Sequence, residues 1–161
     1  MELAILIGLP ASGKTTFFRQ RLAATHVQVS KDLLRRGRQR SGRERERIGE
    51  ALRAGRSVAV DNTNPTATER GRLIELGRAH GARIVGYFFD VERREALVRN
   101  RRREGAERVP DVAIHAAAKR LEPPSVTEGF DELYAVRIGG EGEFRITRLA
   151  GPEATRLRSE P

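Results

Sequence analysis

A segment near the amino terminus combines a glycine-rich turn with one lysine and one hydroxyl. Its sequence, Gly8-Leu-Pro-Ala-Ser-Gly-Lys14-Thr15, satisfies the pattern G-x-x-x-x-G-K-[ST]. Glycines let the backbone turn its N–H groups inward around a polyphosphate, Lys14 supplies charge for the β- and γ-phosphates, and Thr15 supplies a hydroxyl for Mg²⁺. The segment therefore predicts a site for ATP or another nucleoside triphosphate with Mg²⁺, formed by Gly8, Ala11, Ser12, Gly13, Lys14, Thr15 and Thr16.

An acidic residue ends a second apolar run, residues 57–61, with the sequence Ser-Val-Ala-Val-Asp. In proteins with this kind of phosphate loop, an acidic residue at the end of a buried strand lies near Mg²⁺. We therefore predict that Asp61 and Thr15 form the metal site. The sequence Asp61-Asn-Thr-Asn-Pro65 also supports an alternative, in which Asp61 only forms a turn or caps a helix.

Alternating apolar runs and helical stretches indicate how these residues are positioned. The patterns predict strands at residues 2–8, 26–30, 57–61 and 82–90, and a closing hairpin of residues 134–138 and 143–149. They predict helices at residues 13–24, 41–54, 66–81, 92–104 and 111–121, with capping boxes at Ser41/Glu44 and Thr66/Glu69. Strands that alternate with helices predict an α/β fold with a central parallel sheet flanked by helices, which binds its ligands at the carboxyl ends of the strands.

Composition narrows the class of protein. The chain has 161 residues, typical of one domain, and no apolar run approaches the roughly 18 residues that a membrane-spanning helix needs. It has no cysteine, which excludes disulfide partners and thiolate chemistry. The first residues resemble no signal peptide, so we expect a cytoplasmic protein with no membrane partner.

Charge points to a polyanionic partner. The net charge is +9, and all but three of the 31 basic residues are arginine, whose planar side chain binds phosphate in a bidentate manner. A general bias toward arginine is the alternative explanation. The positions of individual arginines must therefore decide which of them act on a ligand.

Four blocks of the sequence resemble the kinase module of polynucleotide 5′-hydroxyl kinases, the end-healing enzymes of nucleic-acid repair. The blocks are GLPASGKTT at residues 8–16, SKDLLR at 30–35, VDNTNP at 60–65, and a last block that runs from Arg99-Asn100 through ERVPD at 107–111 and EPP at 122–124 to EGF at 128–130. The resemblance implies a single P-loop kinase domain over residues 1–150, with a helical, arginine-bearing lid at about 92–122. We expect residues 151–161 to be a frayed tail, and we expect no phosphatase or ligase module.

The resemblance also assigns the chemistry of the acceptor. Asp32 would be the general base for a 5′-hydroxyl, and Arg35 would bind the 3′-phosphate of the acceptor. Spacing alone favours the alternative that Asp32 is a helix N-cap with Arg35 in solvent, and the resemblance reverses this preference. Asn62, Thr63 and Asn64 would line the acceptor side through hydrogen bonds, with a pure turn as the alternative.

The lid supplies the remaining candidates. The resemblance implies that Arg99 and Arg103 contact the triphosphate, and Arg102 could replace Arg103 because the segment before Pro110 is about one residue longer than in phage-type relatives. Arg99 shares a helical face with Arg102 or Arg103 in the predicted helix. None of the three scattered histidines is predicted to be catalytic.

Together these features predict an ATP-dependent kinase that transfers the γ-phosphate to the 5′-hydroxyl end of DNA or RNA. The first alternative is a P-loop kinase for a small acceptor, such as a nucleoside, a sugar acid or an antibiotic. The second is a non-catalytic nucleotide-binding module. The sequence leaves open DNA or RNA, single strand or duplex end, the donor base and the oligomeric state.

Overall fold

A six-stranded sheet in the order β2-β3-β1-β4-β5-β6 organises the chain. The computed structural model describes residues 1–34, 37 and 39–149. The strands are β1 (Glu2–Ile7), β2 (His26–Val29), β3 (Ser57–Asp61), β4 (Arg83–Phe89), β5 (Glu132–Ile138) and β6 (Phe144–Arg148). Strands β1 to β5 are parallel to one another, and β6 is antiparallel to β5. The predicted strands, the closing hairpin and the parallel α/β fold are confirmed.

In the described part of the chain, five α-helices lie between the strands. They are α1 (Lys14–Phe17), which continues into a π-helical segment (Phe18–Leu22), α2 (Arg40–Arg53), α3 (Ala67–Ala79), α4 (Arg93–Arg101) and α5 (Asp111–Arg120). Short 3₁₀ turns occur at Lys31–Leu33, Gly105–Glu107 and Val126–Glu128. Among the described residues, no helix is long and apolar enough to cross a membrane.

The alternation of side chains along β1 explains why both faces of the sheet are covered. Leu3 and Ile5 point to one face, where they pack in a cluster with Ile48 of α2 and Leu73 of α3. The alternate residues Ala4 and Leu6 point to the other face, where the cluster contains Phe17, Phe18, Leu22 and Phe89. A parallel strand with this apolar run is therefore buried on both faces.

Two predictions about helix ends need correction. The capping box at Ser41 and Glu44 is wrong, because α2 begins earlier, its N-cap is Gln39, and Glu44 is buried on the inner face of the helix. The predicted helix over residues 92–104 ends at Arg101, so Arg102 and Arg103 follow the helix instead of extending the face of Arg99.

The other predicted cap is present. The Thr66 hydroxyl accepts a hydrogen bond from the backbone N–H of Glu69 over 3.2 Å. A full capping box occurs where the sequence analysis placed none, at Ser125 and Glu128. The predicted tail, residues 151–161, lies outside the described residues.

Candidate active site

The phosphate loop joins β1 to α1 and depends on two glycines. Gly13 has a φ of 94°, a left-handed conformation that disfavours side chains. A Cβ on Gly8 would lie 2.9 Å from the Cβ of Phe89, so the loop needs a hydrogen there to pass the neighbouring strand. These constraints bring Ala11, Ser12 and Gly13 to the wall of a cleft at the carboxyl ends of the strands.

Lys14 is the first residue of α1, and its side chain extends back into the phosphate loop. Its Nζ donates to the backbone oxygens of Gly8 at 2.9 Å and Leu9 at 2.6 Å, and its side chain is buried. Burial lowers the pKa of Lys14 to about 8, with Arg103 acting in the same direction and Asp61 opposing it. The ammonium group therefore has few charges that compensate its burial, and a phosphate anion would supply one.

Thr15 and Asp61 are in direct contact. The Thr15 hydroxyl donates to Oδ2 of Asp61 over 2.9 Å, and the side-chain amide of Gln28 donates to the same oxygen over 2.8 Å. Mg²⁺ prefers oxygen ligands and usually takes one or two from the protein, with the rest from water and phosphates. A hydroxyl and a carboxylate at the foot of a phosphate loop fit this requirement, and the described residues contain no cluster of three or more His, Cys, Asp or Glu side chains that would suit another metal.

Asp32 lies in the turn after β2 and lines the same cleft. The residue that caps this turn is Ser30, whose hydroxyl accepts a hydrogen bond from the N–H of Asp32 over 3.2 Å. The alternative of Asp32 as the N-cap is therefore wrong. Its side chain is 97% exposed and lies 3.9 Å from the Arg40 guanidinium. Arg35, the other predicted acceptor residue, lies outside the described residues.

The segment after β3 divides into two parts. Asn62 and Thr63 line the cleft, as expected for residues that contact an acceptor. Asn64 does not, because it is buried and its amide donates to the backbone oxygens of Leu6 at 2.7 Å and Val60 at 3.4 Å. Asn64 therefore ties the carboxyl ends of β1 and β3 together, which matches the turn alternative for this residue.

The segment predicted to be a lid, α4 to α5, also contributes residues to the cleft. Arg99 reaches the phosphate loop, where its Nε donates to the backbone oxygen of Ala11 over 3.1 Å. Arg102 and Arg103 also line the cleft, although they follow α4, and Arg103 donates to the backbone oxygen of Glu107 over 3.2 Å. Arg99 and both candidates for the second lid arginine, Arg102 and Arg103, therefore line the same cleft.

Asn100 explains how the lid holds its shape. It is completely buried, and its side chain donates to the backbone oxygen of Val109 at 2.7 Å and accepts from the Val109 N–H at 3.1 Å. These bonds close the loop between α4 and α5. The pairing gives a physical reason for the Arg99-Asn100 and Val109-Pro110 blocks of the sequence.

The cleft at the carboxyl end of the sheet has a volume of about 750 Å³. Its walls are the phosphate loop, the turn after β2, the segment after β3 and the lid. The members that carry functional groups are Ser12, Lys14, Thr15, Thr16, Arg19, Gln28, Ser30, Asp32, Asp61, Asn62, Thr63, Arg99, Arg102, Arg103 and Glu107. Of the predicted set in the described residues, Gly8 and Asn64 alone lie behind this surface.

Three residues that support the site escaped the sequence analysis. Gln28 donates a hydrogen bond to Asp61, and Glu44 accepts one from the Asn62 amide. Arg70 is completely buried, and its Nε and one terminal nitrogen donate to the two carboxylate oxygens of Glu128. Arg70 also donates to the backbone oxygen of Asn64 over 3.0 Å, which holds the segment after β3 from behind. Glu44 had a signal in the sequence only as a predicted capping-box residue, and Glu128 only as part of the EGF block.

The fold and the phosphate loop after the first strand are those of a P-loop kinase domain. The chain belongs to the AAA domain family, whose model matches residues 3–124. It is 28% identical over 141 residues to the bifunctional polynucleotide phosphatase/kinase of Schizosaccharomyces pombe, a match that covers 84% of this chain. The chain spans 33% of the length of that relative.

Two solved structures share the fold. A gluconokinase from Sinorhizobium meliloti superposes with a TM-score of 0.61 at 18% identity, over 86% of this chain and 83% of that one. A fungal RNA kinase superposes with a TM-score of 0.61 at 17% identity, over 84% of this chain and 38% of that one. The predicted resemblance to the kinase module of polynucleotide kinases is confirmed, and the acceptor is a separate question.

Proposed function

We propose that this protein is an ATP- and Mg²⁺-dependent kinase that phosphorylates the 5′-hydroxyl of a DNA or RNA end. The observation that carries the proposal is that the Asp32 carboxylate and the phosphate-loop lysine border one cleft. They are close enough that the negative charge of Asp32 acts to raise the pKa of Lys14, against the larger effect of burial. A base for an alcohol and a cation for the transferring phosphate thus share one space.

The residues divide the reaction between them. Asp32 accepts the proton of the attacking hydroxyl as the new bond from that oxygen to the γ-phosphorus forms, and the bond from the γ-phosphorus to the β,γ-bridging oxygen breaks to release ADP. Lys14 binds the β- and γ-phosphates, and Arg99 and Arg103 stabilise the charge on the transferring group, with Arg102 as the alternative to Arg103. Thr15 and Asp61 would hold Mg²⁺, which supplies charge neutralisation when it is bound.

We assign acceptor binding to residues of the segments after β2 and β3. Asn62 and Thr63 offer hydrogen bonds there, and Arg35 is proposed to bind the 3′-phosphate of the acceptor nucleotide. The net charge of +9 favours a polyanion over a small neutral acceptor. The polynucleotide kinase activity named for the yeast relative supports the same choice.

A kinase for a small metabolite is the second candidate, because the gluconokinase shares this fold. Transfer of radiolabel from [γ-³²P]ATP to 5′-hydroxyl oligonucleotides of DNA and of RNA, with gluconate and free nucleosides in parallel, separates the two. We expect labelled oligonucleotides and little label on the small acceptors. Phosphorylation of gluconate or a nucleoside with no transfer to oligonucleotides would establish the second candidate instead.

The role of Asp32 is tested by Asp32→Asn. General-base assistance contributes about 10²- to 10⁴-fold, so single-turnover transfer should fall by that factor while ATP affinity is retained, since Asp32 contacts the acceptor. Glu75→Gln, an exposed change on α3, is the control and should behave as the parent. A near-parental rate for Asp32→Asn would remove Asp32 from the mechanism.

A further inference from the structure

All three polar groups of Lys31 are held by side chains from other elements. The Lys31 N–H donates to Oδ1 of Asn62 over 2.9 Å, and its backbone oxygen accepts from the Arg40 guanidinium. Its ammonium group pairs with the Glu44 carboxylate over 3.7 Å. Glu44 also accepts a hydrogen bond from the side-chain amide of Asn62. We call Lys31, Arg40, Glu44 and Asn62 the Lys31 clamp.

Glu44 is the buried centre of this clamp. It is 4% exposed, which is rare for a carboxylate, and burial raises its pKa against the opposing effects of Lys31 and Asn62. Four residues before it, Arg40 lies on the same face of α2, so one helix presents both charged groups to Lys31. An apolar side chain at this position would anchor α2 without the cost of burying a charge. The buried carboxylate of Glu44 is therefore better explained by its bonds to Lys31 and Asn62.

The clamp is connected to the two residues proposed to act on the acceptor, Asp32 and Asn62. Asp32 follows Lys31 directly, and its own N–H is bound by the Ser30 hydroxyl. Because its carboxylate is almost fully exposed, its position depends mainly on the backbone that carries it. Asn62 lines the cleft, and its side-chain amide accepts from the Lys31 N–H and donates to Glu44.

We propose that Arg40 and Glu44 are positioning residues that hold Asp32 and Asn62 in place for the acceptor by fixing the main chain and side chain of Lys31. A displacement of about 1 Å at a reacting group can reduce a rate by about 10²-fold. The proposal deepens the proposed function and rests on it for the role of Asp32. The clamp itself is a property of the fold that can be measured without any acceptor.

The first measurement is amide hydrogen exchange of Lys31 by NMR in the full chain. Glu44→Gln keeps the shape of the side chain and removes its charge, and Lys31→Met breaks the same ion pair at a partly exposed position. We expect at least about 10-fold faster exchange of the Lys31 amide in both variants, with core amides of β1 unchanged. Glu46→Gln, an exposed carboxylate two residues along α2, should leave exchange at the parental rate. Unchanged exchange in both clamp variants would overturn the proposal, whatever the acceptor is.

The second measurement is transfer to the acceptor that the parent phosphorylates best among 5′-hydroxyl oligonucleotides, gluconate and nucleosides. For Glu44→Gln and Lys31→Met we expect kcat to fall by about 10- to 100-fold, while ATP affinity stays within about two-fold of the parent. The double variant should lose no more than the worse single one, because both changes break one connection. Equal losses in ATP affinity and transfer, or parental transfer despite faster Lys31 exchange, would overturn the positioning role. If the parent does not phosphorylate oligonucleotides, only the proposed function is contradicted. Both measurements then still test the clamp, because neither requires an oligonucleotide as the acceptor.

Discussion

Thr15 and Asp61 are joined by a hydrogen bond of 2.9 Å, although they lie 46 residues apart in the sequence. The bond connects the start of α1 to the end of β3, and Gln28 donates to the same carboxylate oxygen from β2. Three elements therefore hold one carboxylate beside the hydroxyl of the phosphate loop. This arrangement favours a metal site over a simple turn at Asp61.

The change Asp61→Asn tests that choice. It removes the charge while it keeps the size of the side chain, so Mg·ADP should bind at least about 10-fold more weakly, as is typical when a group that orients or holds a metal is lost. ADP without metal should bind as before, because Asp61 would act on the nucleotide only with Mg²⁺. Calorimetric titrations in Mg²⁺ and in EDTA measure both values. An unchanged dependence on Mg²⁺ would restore the turn alternative.

Protonation of Lys14 gives a second prediction. With a pKa of about 8, Lys14 is mostly charged at pH 7 and mostly neutral at pH 9, whereas phosphate binding requires the ammonium form. ATP binding at pH 8 should therefore take up about half a proton, and affinity should fall as the pH rises above 8. Calorimetry in buffers of different ionisation enthalpy measures this uptake.

The matched variant for this measurement is Lys14→Met, which keeps the apolar stem and has no group to protonate. It should show no uptake at pH 8 and no transfer activity, while its melting temperature without nucleotide stays near that of the parent. Equal proton uptake in both proteins would assign the titration to another group.

Arg70 gives a prediction about stability. It is fully buried and bonds both oxygens of Glu128 at 2.8 Å, so Arg70→Met leaves a carboxylate that is only 13% exposed without its partner. We expect a loss of about 3–5 kcal/mol in the free energy of unfolding, measured by urea denaturation. The double variant Arg70→Met/Glu128→Gln should be more stable than the single one.

A surface pair provides the comparison for Arg70. Arg78 bonds Asp131 at 2.8 Å, but both side chains are at least a third exposed, so Arg78→Met should cost about 1 kcal/mol or less. Similar losses for Arg70→Met and Arg78→Met would show that the buried pair contributes no more than a surface pair.

Local patterns explain how much of the fold could be predicted. The alternation of β1 and the spacing of the phosphate loop are properties of neighbouring residues, and the structure places both as predicted. Glu44 shows the limit of such patterns, since a Ser-x-x-Glu spacing suggests a capping box while the carboxylate bonds Asn62, 18 residues away. The correct partner of a side chain depends on which elements the fold brings together.

Buried polar residues show the same limit for the site. Arg70 looks like any other exposed-face arginine in the sequence, and only the packing of α3 against the turn at Glu128, 58 residues later, shows that it is buried. Asn64 was expected to contact an acceptor, but a φ of 45° turns its amide toward the strand ends. The positions of the supporting residues therefore depend on long-range packing, which a single sequence does not reveal.

The last prediction concerns the polyanionic acceptor. If Arg35 binds a phosphate, Arg35→Ala should reduce the slope of log affinity against log salt by about 0.7 for a single-stranded 5′-hydroxyl oligonucleotide, because one fewer counterion is released. Arg72→Ala, an exposed change on α3, should leave the slope at the parental value. Fluorescence anisotropy between 50 and 300 mM KCl, roughly the range in which phosphate contacts weaken, measures the slopes. Parental affinity that is independent of salt would exclude a phosphate-bound strand and favour a small neutral acceptor, and equal slopes for the parent and Arg35→Ala would place the phosphate contact at another arginine.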